Sequence, residues 1–175
     1  GVNVADMETV REVSPYCGGT LSAGAGDPSI HTATGVMYGL RAVLERQFER
    51  NDFKDMTVAL QGLGAVGWNL ASYLHAEGAR LVVADVRQER VDRAVSAFGA
   101  VAAPPEHIHE VEADIYSPCA LGGGINAATV PVIHAQVVAG AANNQLATPE
   151  AGEALAERGI LFAPDYVINA GGMIG

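Results

Sequence analysis

The spacing of apolar positions changes along this chain from helical to alternating and back. In "HTATGVMYGLRAVLERQFER" (31–50), Val36, Leu40, Val43, Leu44 and Phe48 fall on one face at helical spacing. A long helix is expected there, with Ser29 as its cap and Asn51 and Asp52 at its end. Before it, "VADMETVREV" (4–13) reads as a short amphipathic helix, and "CGGTLSAGAGDPS" (17–29) as a glycine-rich loop. After it the pattern becomes regular. "MTVAL" (56–60) is a buried strand, "AVGWNLASYLHAEG" (65–78) a helix, "RLVVAD" (80–85) a strand and "QERVDRAVSAFG" (88–99) a helix. "AVAA" (100–103) is a short strand, and "ADIYSPCA" (113–120) a strand running into a loop. "INAATVPVIH" (125–134) is an irregular or helical connection broken by Pro131. "AQVVAGAAN" (135–143) is a strand and loop, "TPEAGEALAERG" (148–159) a helix and "ILFAPDYV" (160–167) a strand.

Strands that alternate with helices at short spacing imply an α/β fold of the Rossmann type: a doubly wound, mostly parallel sheet with helices on both faces. Ligands of such sheets bind beyond the carboxyl ends of the strands, so the residues just after each strand are the candidates for function.

Composition narrows the picture. The 175 residues are 49% hydrophobic, enough to bury a sizeable core, and the 21 glycines suit tight turns. A net charge of -10 argues against nucleic acid as a partner, because phosphate backbones call for a basic surface. No apolar stretch is long enough to span a bilayer and no signal peptide is read at the start, so no membrane partner is expected. Two cysteines do not make a disulfide framework, and a reducing, cytoplasmic setting is the expectation. His107 and His109 raise the question of a metal, but "PPEHIHEVE" (104–112) reads as a solvated loop without ligand spacing, and no metal is expected.

"VALQGLGAVGWNLASYL" (58–74) carries the chemistry. Gly62, Gly64 and Gly67 have the G-x-G-x-x-G spacing, between a strand and a helix. Gly62 permits the tight turn, Gly64 lets the backbone approach a pyrophosphate, and Gly67 lets the helix pack on the strand. The unpaired amides of the helix start, in Leu63 to Gly67 with Ala65 and Val66, then face the anion. The next strand ends in Asp85, about 20 residues on, where an acid binds the adenosine ribose hydroxyls. A carboxylate there repels a 2′-phosphate and favours NAD over NADP. Arg87 tempers that preference.

Three further segments, "DPSIHTATGV" (27–36), "SPCALGGGIN" (117–126) and "VVAGAANNQLATPEAGEALAERGILFAPDYVINAGGMI" (137–174), resemble the glutamate, leucine, phenylalanine and valine dehydrogenase family of amino acid dehydrogenases, leucine dehydrogenases above all. The likeness runs along nearly the whole chain. It implies reversible oxidative deamination of an L-amino acid, a leucine-like aliphatic one first, to a 2-oxo acid, ammonia and NADH. It also implies a homo-oligomer. Under this resemblance Thr32 stands near the nicotinamide amide, and Pro118, Cys119 and Ala120 beside the nicotinamide ribose. Asn143 touches substrate and helps order the site, Asn169 lies near the nicotinamide, and Met173 lines the side-chain pocket.

The family's catalytic groups are two lysines and an aspartate. The only lysine here, Lys54, sits among acids in "NDFKDM", and Asp6 lies too far into the leader helix. No catalytic residue is therefore assigned in this chain; the expectation is that those groups lie upstream, in an absent N-terminal domain, and that C-terminal helices are absent too. Residues 1–30 read as a leader helix and inter-domain loop, and 31–175 as the dinucleotide-binding domain, inactive alone. A stand-alone NAD-binding sensor module, or a phenylalanine, valine or glutamate-type dehydrogenase, are the alternatives. Three oddities stand out: His31 in place of an apolar residue, a third glycine expected to loosen "LGGGIN", and bulky Trp68, expected to point away from cofactor.

Overall fold

The computed structural model describes residues 4–14, 16, 17 and 27–174. Most of the glycine-rich loop at 17–29 lies outside the described residues. The elements are α1 (Val4–Arg11), α2 (Ser29–Val43), β1 (Thr57–Gln61), α3 (Ala65–Ala76), β2 (Arg80–Ala84), α4 (Gln88–Phe98) and β3 (Val101–Ala102). They continue with β4 (Ile115–Pro118), β5 (Val137–Val138), α5 (Pro149–Glu157), β6 (Leu161–Phe162), α6 (Asp165–Ile168) and α7 (Gly171–Ile174).

The six strands form one parallel sheet in the order β3-β2-β1-β4-β5-β6. This is the expected doubly wound α/β fold of the Rossmann type. The chain reverses direction across the sheet between β1 and β4, so a crevice opens beyond their carboxyl ends.

Strand side chains alternate between two cores, because successive residues point to opposite faces. Val58 and Leu60 of β1, with Leu81 and Val83 of β2, meet α2, α3 and α4 through Leu40, Leu70, Leu74 and Val91. On the other face Ala59, Tyr116 and Val138 meet Leu155 of α5 and Ile133. Among the described residues no helix is long and apolar enough to cross a membrane.

Several boundaries differ from the sequence reading. Ser29 is the first residue of α2 and not its cap; the Asp27 Oδ1 accepts from the Ser29 N–H at 2.9 Å instead. The helix is prolonged by a wider π-type turn, Leu44–Phe48, and ends at Glu49, whose φ of 54° is left-handed, short of Asn51 and Asp52. The expected strand at 160–167 is only Leu161–Phe162. Pro164 then starts a helical turn, since a fixed φ suits the residue before a helix but not a strand interior.

The segment 104–112 is more than a solvated loop. It holds a 3-10 turn, Ile108–Glu110, and Ile108 is fully buried in the second core. His107 stays outside, and its Nδ1 donates to the Glu110 carboxylate at 2.9 Å, a pairing that raises the His107 pKa. Truncating Ile108 to Ala leaves a cavity beneath the sheet. It is expected to cost about 2–4 kcal/mol in a urea unfolding titration, against about zero for a loop residue in water.

Candidate functional site

The three motif glycines answer to different constraints. Gly62 has φ +95°, and a Cβ there would lie 2.9 Å from both the Ala120 N and the Cys119 O. A Cβ on Gly67 would lie 2.0 Å from the Gly62 O. Both are demanded by the protein's own packing. Gly64 is not: its φ of -67° is ordinary, and the nearest atom to an added Cβ is the Arg90 Nη1 at 3.9 Å. What a side chain at Gly64 would fill is open crevice.

That crevice holds about 440 Å³ between the ends of β1, β2 and β4. Gly62, Gly64, Asp85, Arg90, Cys119 and Ala120 are on its wall. Gly64 is also the residue from which α3 starts. The amides of Gly64, Ala65 and Val66 lack acceptors within the helix, as at any helix start, and such amides favour a negative charge. Leu63 acts otherwise: its side chain is buried and its N–H donates to the Asp85 Oδ2 at 2.7 Å.

Asp85 is held in place by the protein itself. Its side chain is only 5% exposed. Oδ1 accepts from the Arg87 N–H at 2.9 Å, and Oδ2 also faces the Arg90 Nη1 at 3.4 Å. Burial alone would raise its pKa, but the Arg87 and Leu63 amides and the Arg90 guanidinium outweigh it and hold the carboxyl below the usual range. Arg87, the cation singled out from the sequence, is exposed and off the crevice wall; the guanidinium in the crevice belongs to Arg90. Sequence reading missed Arg90. Its only signal was its place in the first turn of the helix after Asp85.

On the far side, Pro118 closes β4 and its carbonyl accepts from the Ala142 N–H at 2.9 Å. Gly140 is forced by that approach, since its Cβ would sit 2.3 Å from the Pro118 O. Cys119 packs against the first core, and burial pushes its thiol pKa up, which suits a small buried group and not a nucleophile. The "LGGGIN" loop makes close contacts with the loop after β5. Gly122 brings it against the Asn143 and Asn144 carbonyls, the Gly123 N–H donates to the Asn144 O at 2.8 Å, and Gly124 lies on the crevice wall.

Asn143 and Asn169 meet directly. The Asn169 Nδ2 donates to the Asn143 Oδ1 at 2.6 Å and to the Ala141 O at 3.3 Å. The left-handed turn falls on Asn144 (φ 51°), leaving Asn143 for that pairing. Thr32 donates its hydroxyl to the Pro28 O at 3.0 Å and lies against Gly172, where a Cβ would come within 2.4 Å of Oγ1. Gly171 and Gly172 thus allow α7 to rest on the start of α2. Met173 is exposed at 91% and fills no core. Trp68 points away from the crevice, its ring tilted against Phe98 at 4.7 Å between centroids, with the Arg93 guanidinium 3.7 Å from its ring centroid. Lys54 is exposed at the opposite end of β1 from the crevice.

Strand order, glycine turn and strand-end acid together define the class: a Rossmann-type α/β domain with a crevice at the switch point. The sequence profile of the Glutamate/Leucine/Phenylalanine/Valine dehydrogenase family matches residues 24–87 and 83–175. The chain belongs to that family. It is 46% identical to leucine dehydrogenase of Geobacillus stearothermophilus over 176 residues, which is 99% of this chain and 48% of that protein. It is 46% identical to valine dehydrogenase of Streptomyces albus over 179 residues, 99% of this chain and 49% of that one. The crystal structure of L-tryptophan dehydrogenase from Nostoc punctiforme superposes with a TM-score of 0.83 at 43% identity, covering 84% of this chain and 45% of that chain. The chain thus spans about half the length of the curated relatives it matches.

Proposed function

We propose that this chain binds NAD in the crevice between β1, β2 and β4, and serves as the cofactor half of an amino acid dehydrogenase. The reaction would convert an L-amino acid, NAD and water to a 2-oxo acid, ammonium, NADH and a proton. A branched-chain aliphatic substrate is favoured, because leucine and valine dehydrogenases are among the relatives at 45–46% identity. One observation carries the cofactor reading. Gly64 is the motif glycine that the protein's own packing does not require, and it faces the crevice.

The residues present fit such a ligand. The amides of Gly64, Ala65 and Val66 would hold the diphosphate, and Asp85 the adenosine ribose. Pro118, Cys119 and Ala120 would border the second ribose, with Thr32, Asn143 and Asn169 around the nicotinamide. Asn143 would also reach substrate, and Met173 would present an apolar wall to its side chain. When bound, the nicotinamide supplies the hydride acceptor. The chain's own part is orientation. The Asn169–Asn143 hydrogen bond fixes both amides and ties the last helices to the β5 loop.

Asp85 provides the test. Titration calorimetry is expected to show the wild-type chain binding NAD more tightly than NADP. In Asp85→Ser, NAD affinity should fall about tenfold, the worth of a charge-assisted hydrogen-bond pair, and the preference should swing toward NADP. A wild-type chain that takes up neither nucleotide would end this reading.

A further inference from the structure

We propose that Arg90 is a specificity-determining residue for the adenosine end of the cofactor: it pairs with the ribose acid Asp85 and is the cation that meets a 2′-phosphate. The inference rests on the crevice being the dinucleotide site.

The argument starts from the acceptor capacity of Asp85. A carboxylate offers about four lone-pair sites. Three are engaged within the protein: the Leu63 N–H at 2.7 Å and Arg90 Nη1 at 3.4 Å on Oδ2, and the Arg87 N–H at 2.9 Å on Oδ1. A ribose presents two adjacent hydroxyls, and a diol spanning both oxygens needs a site on each. One contact must yield. The two amides are fixed by backbone, and they are the short contacts. The Arg90 contact is the long one, and its side chain is 37% exposed, so its head can swing into water.

Arg90 does not leave the neighbourhood when it yields. It is rooted in the first turn of α4, and its Nη1 is also the nearest atom to a Cβ built on Gly64. The guanidinium therefore bridges the gap between the ribose acid and the diphosphate turn. A 2′-phosphate would be repelled by Asp85 and attracted by Arg90, and a guanidinium pairs with phosphate bidentately. Arg87 contributes its backbone amide alone and points outward.

The test is a cycle of binding measurements by calorimetry, using NAD and NADP on the wild-type chain, Arg90→Ala, Asp85→Ser and the double variant. Arg90→Ala should leave NAD affinity within about threefold, or tighten it, and weaken NADP about tenfold. Asp85→Ser should gain NADP affinity about tenfold when Arg90 is present and less than about threefold when it is not. A circular dichroism spectrum and melting curve matching wild type would show that Arg90→Ala is folded. The proposal is overturned if the NADP gain in Asp85→Ser is the same with and without Arg90, or if Arg87→Ala carries the loss instead. Failure of the wild-type chain to bind NAD is a separate result that removes the site itself.

Discussion

Gly64→Val is expected to abolish dinucleotide binding while leaving the chain folded. The nearest protein atom to a Cβ at Gly64 is 3.9 Å away, and its φ of -67° and ψ of -169° suit any residue. The protein loses little: a modest weakening of the helix start, about 0.5–1 kcal/mol, from replacing glycine at an N-cap by a β-branched residue. The ligand loses far more. Two methyl groups would stand in the crevice where phosphate oxygens must reach the amides, and neither backbone nor diphosphate can retreat without breaking those hydrogen bonds. A drop of at least about a hundredfold in NAD affinity is expected, the equivalent of about 2.7 kcal/mol or roughly two charge-assisted bonds. Calorimetry reads the binding and a melting curve the fold. Wild-type affinity in a folded Gly64→Val chain would place the nucleotide elsewhere.

Gly67→Ala should do the reverse. Its Cβ would overlap the Gly62 carbonyl oxygen at 2.0 Å and press on the Cys119 Cβ at 3.4 Å. The obstacle is backbone at a turn where φ is already positive, so the clash is relieved only by moving α3 off the end of β1. Overpacking of this kind costs about 3 kcal/mol. For a domain of this size that lowers the melting temperature by about 6–12 °C. Binding should weaken as a consequence, and NAD at high concentration should recover part of the lost melting temperature. A melting temperature within about 2 °C of wild type would mean that the helix and strand are not locked together as the geometry requires. The two variants separate a glycine kept for a ligand from a glycine kept for the fold.

Much of this was legible beforehand. Apolar runs such as "TVAL" and "LVVA" match strands buried on both faces, and they came out as β1 and β2 in the middle of the sheet. The position of Asp85 after the second strand followed from counting. What failed was local and has physical causes. Ile108 reads as an apolar residue set among acids and histidines, and only the packing of that turn beneath β1 and β2 buries it. The strand expected at 160–167 is cut short because Pro164 can open a helix as readily as it can border a strand. Arg90 went unremarked because it lies farther along the chain than Arg87, but the turn of α4 aims its guanidinium at the acid.

By itself the sequence determined the order of strands and helices, the glycine turn and the acid one strand over. These depend on periodicity and on backbone angles, which neighbouring residues set among themselves. The tertiary structure alone decided that the Leu63 N–H meets Asp85 and that Asn143 meets Asn169. Those pairings join residues from separate loops, and their distances are fixed by how the helices pack on the sheet, which no local pattern encodes.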